Sequence, residues 1–169
     1  MKAVAARASR QPGGGCFAQH IVGTQCCRQK GGIADDDVGD LNAAVTLDPG
    51  SWQAFSLRAA VHAELKDRQS ALRDSDESVR LCREPAHALV ERGQLFARLA
   101  DTASELEAYD AAIKADPRCA KAFALRGSIY YGKGENDRSI SDCTSAIQLD
   151  PEYWGAHYQR GVSRAAKGE

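Results

Sequence analysis

Apolar side chains recur along residues 35–169 at spacings of three and four, the period that gathers them onto one face of an α-helix. Residues 120–153 show the pattern most clearly. Phe123, Gly127 and Tyr130 form one stripe, Lys133-Gly134-Glu135-Asn136 marks a turn, and Ile140, Cys143, Ala146 and Ile147 form a second stripe before Asp150-Pro151. Proline cannot continue a helix interior, so it closes the segment. The pattern predicts a helix, a tight turn and a second helix.

The same unit recurs. Asp48-Pro49, Asp116-Pro117 and Asp150-Pro151 each end an apolar-periodic stretch; the last two lie 34 residues apart and the first two 68 apart. A boundary halfway along that longer interval falls at Cys82-Arg83, followed by Glu84-Pro85. Full units therefore span 52–85, 86–119 and 120–153, with partial units at 35–51 and 154–169. They align without a gap. The fourth place reads Phe55, Leu89, Phe123, His157, and the seventh is Arg58, Arg92, Arg126, Arg160. The eighth reads Ala59, Gly93, Gly127, Gly161, and the eleventh His62, Phe96, Tyr130, Arg164. A small residue between two large ones lets a neighbouring helix come close. In the second halves Ala71, Leu72, Ser75, Ser78 and Val79 correspond to Leu106, Tyr109, Ala112 and Ile113, and upstream Val38, Leu41, Ala44 and Val45 match them.

This pattern resembles the tetratricopeptide repeat family over residues 35–169. The resemblance implies an all-α fold, a right-handed α-solenoid of antiparallel helix pairs whose first helices line a concave groove. Departures are Glu105 where the family prefers a small residue, the Cys82-Arg83 boundary, and residues 18–34, where Gly23, Cys26-Cys27 and Gly31-Gly32 suit a helix poorly. A two-helix unit cannot bury its apolar face alone, so neighbours stack into one continuous core and the ends need covering. Trp154, Tyr158 and Val162 are apolar for a solvent-facing cap, which favours a piece of a longer array over a capped end.

Charge is uneven along the chain. Five of the 22 basic residues and none of the 23 acidic ones lie in residues 1–34, leaving residues 35–169 at a formal −6. With its two glycine runs and few large apolar residues, the first stretch is expected to be a disordered or irregular basic segment, with an organelle transit peptide as the alternative. The overall charge of −1 argues against a nucleic-acid partner, and no apolar run reaches the roughly 18 to 20 residues that span a bilayer, so no membrane partner is expected. Six cysteines without a C-x-x-C pair fit a reduced, cytoplasmic setting.

No chemistry-bearing constellation emerges. His20, His62, His87 and His157 lie away from cysteines at metal-binding spacing. Asp35-Asp36-Asp37 lacks the alternation of a calcium loop and suits a helix start. No Lys-Ser or Lys-Thr follows Gly13-Gly14-Gly15, as a phosphate loop requires. Neither catalysis nor a cofactor or metal is expected.

The expected work is binding, as a protein–protein interaction scaffold that takes a peptide segment of a partner in the groove. The alternative is a structural array that self-associates or extends a larger solenoid. With the fourth, eighth and eleventh places committed to packing, the groove is expected to expose Gln53, Leu57, Val90, Glu91, Gln94, Lys121, Leu125, Ser128, Tyr131, Tyr158 and Gln159. Family members that dock acidic chaperone tails carry a clamp of Lys, Asn and Arg; at those places this chain has Ser56, Ala60, Glu91, Lys121 and Leu125, and only Lys121 matches. One unit further along the places hold Val90, Gln94, Leu125, Gly155 and Gln159, with no match. The arginine at every seventh place is expected to pair along the helix seam with acids such as Asp74, Asp110 or Asp142, the alternative being an anion-binding ladder.

Overall fold

The computed structural model describes residues 35–169; the basic segment 1–34, and with it the expectations of irregular structure or a transit peptide, lies outside the described residues. Among the described residues the chain forms helices and no strand. These are α1 (Asp35–Leu47), α2 (Trp52–Glu64), α3 (Arg68–Leu81), α4 (Pro85–Arg98), α5 (Thr102–Ala115), α6 (Ala120–Gly132), α7 (Asn136–Leu149) and α8 (Trp154–Lys167). From α2 onward each begins at the place the 34-residue period assigns, α4 one residue early because Pro85 takes the first helical position, where its missing N–H costs nothing.

The turns explain the period. In the Asp-Pro boundaries the aspartate carboxylate accepts a hydrogen bond from the amide two residues on: Gly50 to Asp48 at 3.0 Å, Arg118 to Asp116 at 2.9 Å, Glu152 to Asp150 at 3.1 Å. Such a side-chain turn ends one helix and aims the next. Cys82 occupies the aspartate's place at the remaining boundary, and its thiol reaches the Glu84 carbonyl at 3.1 Å. Inside the units, Asp67 and Asp101 cap α3 and α5 by accepting from the amides of Ser70 and Ser104. The residue just before each cap has positive φ: Lys66 at 64°, Ala100 at 55° and Gly134 at 77°.

Pairs α2/α3, α4/α5 and α6/α7 pack along their length, and each second helix also packs on the next first helix, giving an all-α solenoid. Burial follows the repeat. Ala59, Ala63 and Ala71 pack with Leu95; Val90, Tyr109 and Ala112 with Ala122; and Ala124 and Ala146 with Ala156. Each cluster thus joins one unit to the next. Ser139 and Ser163, both fully buried, share a 2.7 Å hydrogen bond that ties α7 to α8.

Candidate peptide-binding groove

The first helices α2, α4, α6 and α8 line one face. Of the residues expected there, Gln53, Lys121, Ser128 and Tyr131 are exposed, and Leu57, Glu91, Gln94, Leu125 and Gln159 are partly exposed. One expectation needs correction. Val90 is only 2% exposed and packs against Tyr109, Ala112 and Ala122. Ala124, at the same place one unit on, is likewise buried against Ala146 and Ala156. The fifth place therefore faces the seam between units rather than the open face. Tyr158 shares that place in α8 and is 66% exposed.

The face is not evenly spaced. First helices approach each other at α2/α4 and α6/α8, whereas α4 and α6 stand further apart. At this junction Tyr109 fills the place that Ser75 and Cys143 occupy in the units on either side, and it packs with Val90 of α4 and Ala122 of α6. A cleft of about 240 Å³ opens there, walled by His87, Val90, Glu91 and Lys121, with the turn Asp116 to Ala120 at one end. Lys121 donates to Glu91 across it at 3.0 Å. A second, smaller cavity of about 70 Å³ lies between α2 and α4, floored by Ser75 and Ser78 and rimmed by Leu57, Glu91 and Arg98. The buried Ser78 hydroxyl has no hydrogen-bond partner there.

Sequence reasoning missed Arg98, Ser78 and the Asp116 to Ala120 wall. Ser78 sits at a packing place, and only the gap left by small neighbours, Ala59 and Ala60, makes it line a cavity. The oversized Tyr109 beside glycine was the available sign that this junction would differ from the others.

Glu91 of α4 and Glu105 of α5 lie near the buried Tyr109. Burial pushes the Tyr109 phenol far above its ordinary value, and the neighbouring carboxylates of Glu105 and Glu91 push it the same way. Desolvation raises Glu105 as well, partly offset by its hydrogen bond with the Tyr109 hydroxyl.

The arginine ladder is structural. Arg126 donates from Nε and Nη2 to both carboxylate oxygens of Asp142 at 2.8 Å, and from Nη1 to Asp110 at 2.7 Å. Arg58 makes the same two-pronged contact with Asp74, at 2.7 and 2.8 Å, and reaches Asn42 at 2.9 Å. Arg58 and Arg126 thus each reach sixteen residues forward within their unit and sixteen back into the unit before. Arg92 lacks the forward carboxylate because Ala108 stands there, and it pairs only with Asp76, at 2.6 Å. Their guanidiniums also lie over Phe55, Phe96 and Phe123 at 5.3 to 5.6 Å. Heads so occupied leave no anion-binding ladder in units one to three.

Residues 120–153 match the profile of the tetratricopeptide repeat family, with the boundaries that the 34-residue period sets. The chain carries a tetratricopeptide repeat at residues 120–153 and has the fold of tetratricopeptide-repeat solenoids. No curated protein sequence matches it. Among solved structures, tetratricopeptide folds resemble it along most of its length. MamA 41-end from Desulfovibrio magneticus RS-1 is 21% identical, with a TM-score of 0.61 over 89% of this chain and 84% of that one. YrrB, described as a TPR protein with an unusual peptide-binding site, is 18% identical, with a TM-score of 0.56 over 90% and 75%. The first TPR of Spaghetti (RPAP3), bound to HSP90 peptide SRMEEVD, is 13% identical, with a TM-score of 0.59 over 70% and 94%. At these identities the likeness is one of fold. Among the described residues no group of three or more His, Cys, Asp or Glu could hold a metal ion, and no helix is long and apolar enough to cross a membrane.

Proposed function

We propose that this chain is a protein-interaction scaffold whose first-helix face takes an extended segment of a partner protein. The observation that carries the reading is the cleft between α4 and α6, crossed by the Glu91–Lys121 pair, with half-exposed Leu125 one turn beyond Lys121 on α6 and Tyr131, at 37% exposure, further along the same helix. Apolar anchors next to one acceptor and one donor suit a peptide with a few apolar side chains, since buried anchors carry most of an interface's energy. The −6 charge of residues 35–169 and the acids around Tyr109 favour a neutral or basic segment over an acidic one. Two neighbours of the same fold, YrrB and the first TPR of Spaghetti, have peptide-binding sites by their descriptions, which supports the class of work and leaves the residues to this chain's own geometry.

A peptide array of eight-residue segments, varied in charge and in apolar anchors and probed with the full chain, tests the reading. The selected sequences should be apolar-anchored and neutral or basic. Leu125→Glu and Tyr131→Ala should each weaken the best peptide by at least about tenfold, the usual cost of an anchor, while circular dichroism stays helical. Selection that ignores both substitutions would move the working surface elsewhere.

A further inference from the structure

The seam between the first two full units is more polar than the seams that follow it. Ser78 holds the place that Ala112 and Ala146 hold one and two units on, and those alanines are fully buried in apolar clusters. Ser56 holds the place of the buried Val90 and Ala124, and Ser75 that of Tyr109 and Cys143. Serine hydroxyls thus stand where the other units carry methyl, isopropyl, ring or thiol groups. Ser56, Ser75 and Ser78 all line the cavity of about 70 Å³ between α2 and α4.

Ser78 is the residue that points to a ligand. It is 2% exposed, and its hydroxyl has no hydrogen-bond partner. A buried hydroxyl left unpaired destabilises a fold, and at the same place the next two units pack well with a methyl. The space it lines exceeds several times the roughly 10–15 Å³ that one water molecule needs. It is large enough for the end of a side chain.

The rim of the cavity restricts what enters. Glu91 brings a carboxylate to it, and Arg92 and Arg98 bring guanidiniums. Arg92 is held by Asp76 at 2.6 Å, and Arg98 lies 3.5 Å from Glu64. An entering carboxylate would meet Glu91, and an entering ammonium would meet two guanidiniums. Either charge would also leave water for a space walled in part by Ala59, Ala88 and Leu95. A neutral group that both donates and accepts avoids these costs. A carboxamide has two N–H donors for a carboxylate or hydroxyl oxygen and a carbonyl that accepts from a hydroxyl or guanidinium. Its methylene stem suits Leu57, Ala60 and Leu95. Glu91 also walls the larger cleft between α4 and α6, so a segment crossing α4 reaches both.

We propose that the α2/α4 cavity is a subsite for a neutral carboxamide, filled by an Asn or Gln side chain of the bound segment that pairs the Ser78 hydroxyl. This rests on the reading of the first-helix face as a peptide site and adds a sequence requirement to it.

Two measurements separate the subsite from the face. In the first, propionamide, which has the stem and head of a glutamine side chain, is titrated into the isotope-labelled full chain and followed by NMR. Propionate and propylammonium are titrated beside it. Backbone amide signals of Ser56, Ser78 and Leu95 should shift with millimolar propionamide and stay in place with the two charged analogues. Ser78→Ala carries the methyl of the next two units, so it should melt no lower than the parent and weaken propionamide binding roughly tenfold. In the second, the best peptide of the array is remade with each Asn or Gln replaced by Glu, Lys or Leu. One position should lose about tenfold or more in affinity for the wild type and under about twofold for Ser78→Ala. Selected peptides without Asn or Gln, or propionamide shifts that are absent or unchanged in Ser78→Ala, would overturn the subsite, while Leu125→Glu and Tyr131→Ala still decide the face. An array that selects nothing would overturn the face and the side chain as the source of the amide. Propionamide shifts that persist in that case would support a free carboxamide as the occupant.

Discussion

Gly93 and Tyr109 fit each other by exclusion: a Cβ on Gly93 would lie 2.3 Å from Cε1 of the Tyr109 ring, which is itself 1% exposed. The same two places hold Ala59 with Ser75 and Gly127 with Cys143. Side-chain size at one is set against size at the other, because the second helix of each unit packs at a fixed approach on the first.

Gly93→Ala is therefore expected to destabilise the chain by about 1–3 kcal/mol through overpacking. Tyr109→Ser alone should cost roughly 3–5 kcal/mol through the cavity it leaves. Together they recreate the alanine and serine of the first unit, so the double variant should be less destabilised than the sum by at least about 1 kcal/mol. Urea denaturation of the four proteins measures the coupling; simple additivity would mean that the two residues do not constrain each other.

Arg126 and Arg92 hold the same place but different partners, which makes them a matched comparison. Removing Arg126 strands Asp142, 7% exposed, without its two-pronged donor, so Arg126→Ala should cost about 3 kcal/mol. Arg92 faces Asp76, whose side chain is 62% exposed, and Arg92→Ala should cost under about 1 kcal/mol beyond the lost contact with Phe96. Equal losses in thermal melts would show that the forward carboxylate contributes nothing.

Much of this was legible in the sequence, and the reasons are physical. Asp48-Pro49, Asp116-Pro117 and Asp150-Pro151 announce the unit length because the aspartate carboxylate itself makes the turn. The seventh-place arginines announce a seam because Asp74, Asp110 and Asp142 lie sixteen residues away in register. The face was legible only in part. Helical spacing places Val90 beside Glu91 on a wheel, but whether a position opens to solvent or to the next unit depends on how units stack, and stacking buried Val90. The cleft beside Glu91 and Lys121 lies at the junction where the bulky Tyr109 replaces the small residue of the other units, a matter of side-chain volume with no period.

Lys66 and Ala100 adopt φ of 64° and 55° at the turn place where Gly134 has 77° and Gly168 has 81°. Only glycine enters that region without a Cβ clash. Ala100→Gly and Lys66→Gly should each raise stability by about 1 kcal/mol, and Gly134→Ala should lower it by a similar amount. A glycine that destabilises at Ala100 would mean that the chain's gain in unfolded-state freedom outweighs the relieved strain.

Glu105 gives stability a pH dependence of known sign. Desolvation lifts its carboxyl above the ordinary value, so the charged form is disfavoured by folding. That penalty is absent in acid, where the group is protonated in both states, and grows as pH rises past the unfolded value. Glu105→Gln should be more stable than the parent at neutral pH and indistinguishable from it below about pH 4, near the ordinary carboxylate value. Melting curves across pH decide it, and a variant equally stable or weaker at neutral pH would mean that the Tyr109 hydrogen bond outweighs desolvation.

A peptide ending in several carboxylates is expected not to bind the first-helix face. Pairing two or more carboxylates out of water requires several free donors converging on one spot. The face offers Lys121, whose ammonium is already engaged by Glu91 at 3.0 Å, and the positions around it are Ser56, Ala60 and Leu125. An incoming acid would have to displace Glu91 and then sit against its charge. Calorimetric titration of an acidic-tailed peptide into the full chain should give no saturable heat, and Glu91→Gln, which releases Lys121, should bring back at most weak binding because one cation does not make a clamp. Saturation at micromolar peptide with the wild-type chain would show that some other set of donors, Arg98 and Arg118 being the nearest in the two cavities, forms the clamp instead.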